Sequence, residues 1–396
     1  MSNSCLLQHA IRARVGSRAS NNCGDGFLTQ VLDECALEKP QPPRCGHLFT
    51  GIRVPVGYEC VRATEIVGQY ARSPLDLLKL WPSKRYVFSA SGDCVIAYAV
   101  ANGTAIALGD PVGPEAEIEP TTRRFVQLCK KERWAVAFYR TLPDFLPTYR
   151  RLQLRKLKIG DDAIVELSRF SLEGRTKRDI RSKTRQLEAQ GVKVVEYDPP
   201  LPSAIIAQLK NVSDEWLMIP GRRERTFAVG YFNSDYLRST PLLAAVNLSG
   251  KMLAFINLIF VDKDELTGDL MRRRPNAPNG IMDYLFFKLL QYAKEREYRK
   301  VSLGLAPMTG FQEEEHATVE ERVIHALLQK LDFLFSFRGL YRYKAKFATS
   351  WEPRYLIYEN MLQLPRTALA LHRLSETNGE TDAGPLSRER LAYNRR

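Results

Sequence analysis

The stretch from Leu253 to Tyr292 constrains the chain most. Leu253 to Val261 is an apolar run, long enough for a buried β-strand and too short to cross a membrane. Gly268-Asp269-Leu270-Met271-Arg272-Arg273-Arg274 then reads as a strand end and a charged turn, and Pro278-Asn279-Gly280 as a loop. An amphipathic helix follows from Met282, with Tyr284, Leu285, Leu289 and Tyr292 on its apolar face, the Lys288 stem beside them, and Glu295 at its end. An acid, Asp269, and a base, Arg272, are thus expected where a strand hands over to a helix. Ligands of α/β folds bind at the carboxyl ends of strands, and a helix N-terminus there favours anions. A solvated surface turn accounts for the same charges, and spacing alone does not separate the two readings.

The rest of the chain repeats this theme. Residues 1–60 carry little periodicity and are expected to form a loosely ordered leader. Helices are expected from Ala63 and, after Ser73-Pro74, through Leu80. Strands 95–100 and 104–108 flank Asn102-Gly103, a hairpin signal. The loop Gly109-Asp110-Pro111-Val112-Gly113-Pro114, a helix over 121–133 and a strand over 134–139 come next. Further on, 242–248 and 252–260 flank Ser249-Gly250 as a second hairpin, and a strand is expected over 300–305. Arg150, Leu152, Lys156 and Lys158 fall opposite Arg338, Leu340, Lys344 and Lys346 when two basic segments, both read as strands, are superposed. The pattern predicts a duplicated α/β unit with mixed sheets: a first domain over 61–170, a second over 196–362 and a C-terminal tail over 363–396. A basic helix within 171–195 joins them. In it Lys177, Arg181 and Arg185 form a stripe, with Arg178 beside it.

Charge narrows the partners. The formal net charge of the 396 residues is +13, which suits a polyanion such as nucleic acid or an anionic membrane surface. No apolar run has transmembrane length, and no secretory signal is read near Met1. Seven cysteines without a CxxC pair fit a reducing compartment, and the spacing of Cys5, Cys23, Cys35 and Cys45 does not suit zinc. His316, beside Glu313-Glu314-Glu315, reads as part of a solvated acidic loop. No Gly-x-Ser-x-Gly elbow, Walker loop or GxGxxG is present, so no metal and no nucleotide cofactor is expected.

Several motifs in one order carry a resemblance. Ala107-Leu108-Gly109-Asp110-Pro111-Val112-Gly113-Pro114, Ser213-Asp214-Glu215-Trp216-Leu217, Gly230-Tyr231-Phe232, Gly268-Asp269-Leu270-Met271-Arg272, Met282-Asp283-Tyr284-Leu285-Phe286, Leu303-Gly304-Leu305-Ala306-Pro307-Met308-Thr309-Gly310, Tyr343-Lys344-Ala345-Lys346-Phe347 and Trp351-Glu352-Pro353-Arg354-Tyr355 are together similar to the C-terminal catalytic domain of phosphatidylglycerol lysyltransferases. These are the aminoacyl-phosphatidylglycerol synthases of the multiple peptide resistance factor family. The likeness runs from about residue 62 to 360. It departs at Met218-Ile219-Pro220-Gly221-Arg222-Arg223 and at Tyr343, where a Phe is usual, and the multi-span flippase of the larger members is not read here.

The resemblance implies tandem GNAT-type acyltransferase domains. It also implies transfer of an amino acid, lysine or alanine, from aminoacyl-tRNA to the glycerol hydroxyl of phosphatidylglycerol, by an enzyme peripheral to the inner face of the plasma membrane. By position the catalytic residues would be Asp269, Arg272 and Lys344, with Gly268, Asp283, Lys346 and Trp351 on the substrate. Lys177, Arg178, Arg181 and Arg185 would meet the tRNA. For Asp283 a helix-dipole role is the simpler account, for Lys344 and Lys346 a basic edge strand, and for Trp351 and Tyr355 a place in the core. An acyl-CoA-dependent N-acyltransferase acting on a small amine is a rival, but Arg274-Pro275-Asn276-Ala277-Pro278-Asn279-Gly280 lacks the Arg/Gln-x-x-Gly-x-Gly/Ala loop. A non-catalytic RNA- or membrane-binding module is the other rival.

Overall fold

The computed structural model describes residues 58–261, 264–307 and 337–376. The leader up to residue 57, the four N-terminal cysteines, the His316 loop and residues 308–310 of the Leu303–Gly310 motif lie outside the described residues.

Alternating and continuous apolar runs build one mixed sheet, and the strands follow chain order: β1 (Arg85–Phe88), β2 (Val95–Ala101), β3 (Thr104–Leu108), β4 (Ala135–Thr141), β5 (Arg155–Glu166), β6 (Lys193–Tyr197), β7 (Leu242–Val246), β8 (Met252–Val261), β9 (Glu265–Arg273), β10 (Lys300–Pro307) and β11 (Ser350–Tyr358). Their spatial order is β1-β2-β3-β4-β11-β5-β10-β9-β8-β7-β6. The sheet is therefore a double structure with exchanged strands. In each half an antiparallel hairpin (β2–β3, β8–β9) is followed by a helix and then by a parallel neighbour (β4, β10). The crossover helices are α3 (Glu115–Lys131) and α8 (Ile281–Glu295), after the shorter N-terminal helices α1 (Tyr58–Tyr70) and α2 (Pro74–Leu77). The next strand of each half crosses over: β11 pairs with β4 of the first half, and β5 pairs with β10 of the second. β5 and β11 pair with each other at the seam.

Three sequence expectations change. The second-half counterpart of the Asn102-Gly103 hairpin is β8–β9, because β9, like β3, leads into the crossover helix; β7–β8 lies one strand further out. Residues 268–273 lie inside β9 and form no charged turn, because they complete a ladder against β8. The segment 338–347 is mostly helix, α9 (Phe337–Ala345), whereas 155–158 is strand, so Lys344 and Lys156 are not equivalent. The segment matching α9 is α4 (Leu146–Arg151), the short helix before β5.

The basic segment forms α5 (Arg178–Ala189) after a 3-10 turn at Arg175–Lys177, and Ile180, Thr184 and Leu187 pack it on α8. α6 (Ser203–Leu217) and α7 (Ser234–Arg238) cover the second half. Residues 364–375, expected in a tail, form α10 (Leu364–Ser375), which lies on β2 and β3; Arg366 Nε donates to the Asn102 carbonyl at 2.6 Å. In the first half Ile96, Ala105, Val136 and Phe138 pack with Phe125 and Tyr149, and a larger core fills the second half. Among the described residues no helix is long and apolar enough to cross a membrane.

Candidate functional site

The sheet is interrupted where the halves meet. Arg140 is an extra residue in β4, since Tyr139 and Thr141 face the consecutive Leu356 and Tyr355. Ile159 is extra in β5, Leu303 and Gly304 break β10 against β5, and Asp269 and Leu270 oppose the single Asn257. Bulges re-aim side chains and end pairing. The parallel ladder of β9 and β10 stops at Thr267 and Ser302, and Asp269 follows on one strand while Gly304 and Leu305 follow on the other.

Asp269 is half-buried and firmly held. Oδ2 accepts the Tyr236 hydroxyl at 2.6 Å, and Oδ1 accepts the Gly230 amide at 2.9 Å. A Cβ at Gly230 would overlap the Asp269 carboxylate, so only glycine lets the loop approach this closely. Buried Asn257 fixes the bulge by accepting the Leu270 amide at 2.8 Å. Burial pushes the Asp269 carboxyl above the usual range, and Tyr236, the Gly230 amide, Arg272 and Arg140 pull it back in part.

Lys344 closes the same region from the last turn of α9. It is 8% exposed, and Nζ donates to the Leu305 carbonyl at 2.7 Å. Burial lowers its pKa to about 7; the Asp162 carboxylate opposes this shift and Arg140 adds to it. Asp162 on β5 is itself buried. Burial alone would raise its pKa, but the charges of Arg140, Arg354 and Lys344 hold it below the usual range. Arg354 Nε lies 2.9 Å from Asp162 Oδ2. Arg140, Asp162 and Arg354 also line a cavity of about 440 Å³ in the first half, walled by Arg72, Asp110 and Phe145 among others.

The remaining sequence candidates divide. Arg272 is buried and already committed: Nη1 and Nη2 donate to Glu224 at 2.8 and 2.6 Å, Nη1 also reaches Ser213 Oγ, and the guanidinium sits 4.9 Å from the Trp216 ring centre. It fastens α6 to the loop that follows. Gly268 faces Ile256, where a Cβ would clash, so its geometry is one of packing. Asp283 is a buried hub on α8, 3.3 Å from both Lys183 of α5 and Lys346. Trp351 is half-buried and stacks on Tyr341 at 4.7 Å, while Tyr355 is buried in the core.

The basic stripe also splits. Lys177 Nζ donates to the Lys346 carbonyl, and Arg181 to the carbonyls of Leu172 and Gly174, so both serve the fold. Arg178 and Arg185 are exposed, as is Arg175. The Lys177 contact sets this helix beside the end of α9, two residues from Lys344.

Arg140, Asp162, Tyr236 and Glu224 went unnoticed in the sequence. The available signals were an arginine next to last in the apolar strand Ala135–Thr141 and an Asp161-Asp162 pair in the middle of β5, directly before the apolar Ala163-Ile164-Val165.

A family described as phosphatidylglycerol lysyltransferase, C-terminal, matches residues 64–358. The chain belongs to this family. A phosphatidylglycerol lysyltransferase of Staphylococcus epidermidis is 28% identical over 310 residues, which make up 78% of this chain and 37% of that protein. The chain thus spans a little over a third of the length of that curated relative. Two solved structures share the fold, each with a TM-score of 0.71: L-PGS from Bacillus licheniformis and the C-terminal domain of a putative lysylphosphatidylglycerol synthetase from Agrobacterium fabrum. The first is 28% identical, covering 79% of this chain and 95% of that one; the second is 31% identical, covering 81% and 98%.

Proposed function

We propose that this member of the family transfers an amino acid from aminoacyl-tRNA to the glycerol hydroxyl of phosphatidylglycerol. The observation that carries the reading is a buried lysine, bonded to the Leu305 carbonyl, and a held carboxyl group at the gap between β9 and β10. An aminoacyl ester is already activated, so the enzyme has to position an alcohol and manage one proton.

Neutral Lys344 takes the proton of the acceptor hydroxyl as its oxygen attacks the ester carbonyl. The tetrahedral intermediate then expels the terminal ribose oxygen, to which the Lys344 ammonium returns that proton. One ester C–O bond breaks, another forms, and no external base is consumed. The ammonium so formed also stabilises the developing oxyanion. Asp269 as carboxylate pairs with the α-ammonium of the amino acid. Arg272 acts through Glu224 and Trp216, shaping the wall of the site. Asp283 and Lys346 join α5, α8 and the end of α9. Arg178 and Arg185 provide the tRNA surface, and the net charge of +13 suits both tRNA and an anionic leaflet. The enzyme works at the inner face of the plasma membrane as a peripheral protein and raises the positive charge of the lipid surface.

The test is a transfer assay with total tRNA charged with labelled lysine or alanine and vesicles of phosphatidylglycerol. Label entering the lipid phase, and lost with Asp269→Ala, is the expected result and names the amino acid. Binding of charged tRNA without label in lipid would overturn phosphatidylglycerol as acceptor.

A further inference from the structure

We infer that Arg140, supplied by the first half, is a positioning residue for the site of the second half: from its bulge in β4 it ties the loop that holds Asp269 to the carboxylate beside Lys344. Its Nη1 donates to the Ala228 carbonyl at 3.3 Å, two residues before the Gly230 amide that binds Asp269. Its Nη2 lies 3.3 Å from both oxygens of Asp162. The consequence for turnover rests on the reading of Lys344 and Asp269 as reacting groups.

A purely structural arginine does not account for what is seen. The backbone at Arg140 has φ +68°, a left-handed conformation that a long side chain rarely adopts and that a bulge here imposes. The contacts to Asp162 are long, and Arg354 holds that carboxylate more closely, at 2.9 Å. Arg140 Nε is buried with no hydrogen-bond partner. The guanidinium is thus placed at a structural cost where its cation is shared among three acidic or basic groups. The charged and titratable groups that bear on the two reacting residues come from four elements: Arg140 from β4, Asp162 from β5, Arg272 from β9 and the Tyr236 hydroxyl from α7, while Arg354 of β11 bears on Asp162. Among these Arg140 alone acts on both Lys344 and Asp269, its charge lowering the pKa of each. A cation there favours the neutral amine and the ionised carboxylate together, the pair of states the transfer needs.

The test follows Lys344 itself. The full chain carrying lysine enriched with carbon-13 at Cε is titrated by NMR, with the Lys344 signal assigned by its loss in K344R. The wild-type midpoint is expected near 7. R140N keeps a residue type that tolerates the left-handed backbone, and its midpoint is expected to rise by about one pH unit. R140K restores a cation and should bring the midpoint most of the way back. In the transfer assay R140N should lower kcat on the order of tenfold at pH 7 and recover at higher pH, with KM for charged tRNA unchanged. R140Q gives the same reading if R140N does not fold, as judged by circular dichroism. An unmoved Lys344 midpoint in the folded variant, or equal displacement by R140N and R140K, overturns the inference. If the wild type proves inactive on phosphatidylglycerol, the titration still decides the role of Arg140, and only the proposed reaction falls.

Discussion

Asp110 in the first half and Asp269 in the second are held in the same way. Each follows a glycine, Asp110 just past the end of β3 and Asp269 at the bulge within β9, and each accepts one tyrosine hydroxyl and one backbone amide. For Asp110 these are Tyr149 and the Leu142 amide, both at 2.8 Å; for Asp269 they are Tyr236 at 2.6 Å and the Gly230 amide at 2.9 Å. Burial raises the pKa of both, that of Asp110 to about 7. The duplicated fold therefore keeps one carboxylate cradle twice, each two residues past the end of a parallel ladder, Leu108–Tyr139 in the first half and Thr267–Ser302 in the second; Lys344 joins the second through the Leu305 carbonyl of β10.

Removing the two tyrosine hydroxyls separates the copies. The Tyr236 bond stabilises ionised Asp269, so Tyr236→Phe should raise its pKa further. The acid limb of the rate profile then moves to higher pH, and kcat falls most on the acid side of that limb. Tyr149→Phe should cost about 1–2 kcal/mol of stability and leave the acid limb in place. Equal displacement of the limb by both variants in a pH–rate series would count against Asp269 as the ionised partner.

Lys344 must also lose a proton to act, so it shapes the same ascending limb. Its neutral form becomes dominant above about pH 7, so the rate should rise through that value. Lys344→Ala should lower kcat on the order of 100-fold or more, with a small change in KM for charged tRNA. Lys344→Arg keeps the cation at every pH and should be nearly as impaired. Single-turnover transfer at pH 6, 7 and 8 checks this; an active arginine variant would assign the residue to charge stabilisation alone.

Local pattern revealed most strands and the crossover helices, because 253–261 is apolar but for Asn257 and 281–295 repeats at helical spacing. It misread 338–347, where Leu340, Tyr341 and Lys344 already stand at helical spacing, because basic residues were matched to the strand at 155–158. The exchange of β5 and β11 is a long-range event with no local signature. The same holds for the cluster. Asp269, Arg272 and Lys344 carry motifs, whereas Arg140 and Asp162 gain their meaning from bulges that only strand pairing reveals.

The exposed part of α5 predicts a divided salt response. Arg178 and Arg185 face solvent, so their double alanine variant should weaken tRNA binding and reduce the slope of log affinity against log salt by about 1 to 2. Lys177→Ala and Arg181→Ala remove bonds to the carbonyls of Lys346 and Leu172 and should lower thermal stability instead. Filter binding across a salt series, beside melting curves, separates these effects. An unchanged slope in the double variant would move the docking surface elsewhere.

Lys84 offers a test of stability rather than turnover. It is 7% exposed; Nζ lies 4.5 Å from the centre of the Phe227 ring and 3.4 Å from Ser83 Oγ, and burial lowers its pKa to about 7. In the unfolded chain a lysine titrates near 10.4. Between these values the unfolded state holds the extra proton, so folding stability gains from this residue as pH rises from about 7 towards 10. At pH 7 and below the buried ammonium is a burden. Lys84→Met keeps the stem packing on Phe227 and removes the charge, so it should stabilise the fold on the order of 2 kcal/mol at pH 6.5. That advantage should shrink steadily and nearly vanish by about pH 10. Urea unfolding of both proteins at four pH values measures the difference directly, with Lys344 present in each and cancelling. A difference constant with pH would mean that Lys84 is charged and solvated in the folded protein.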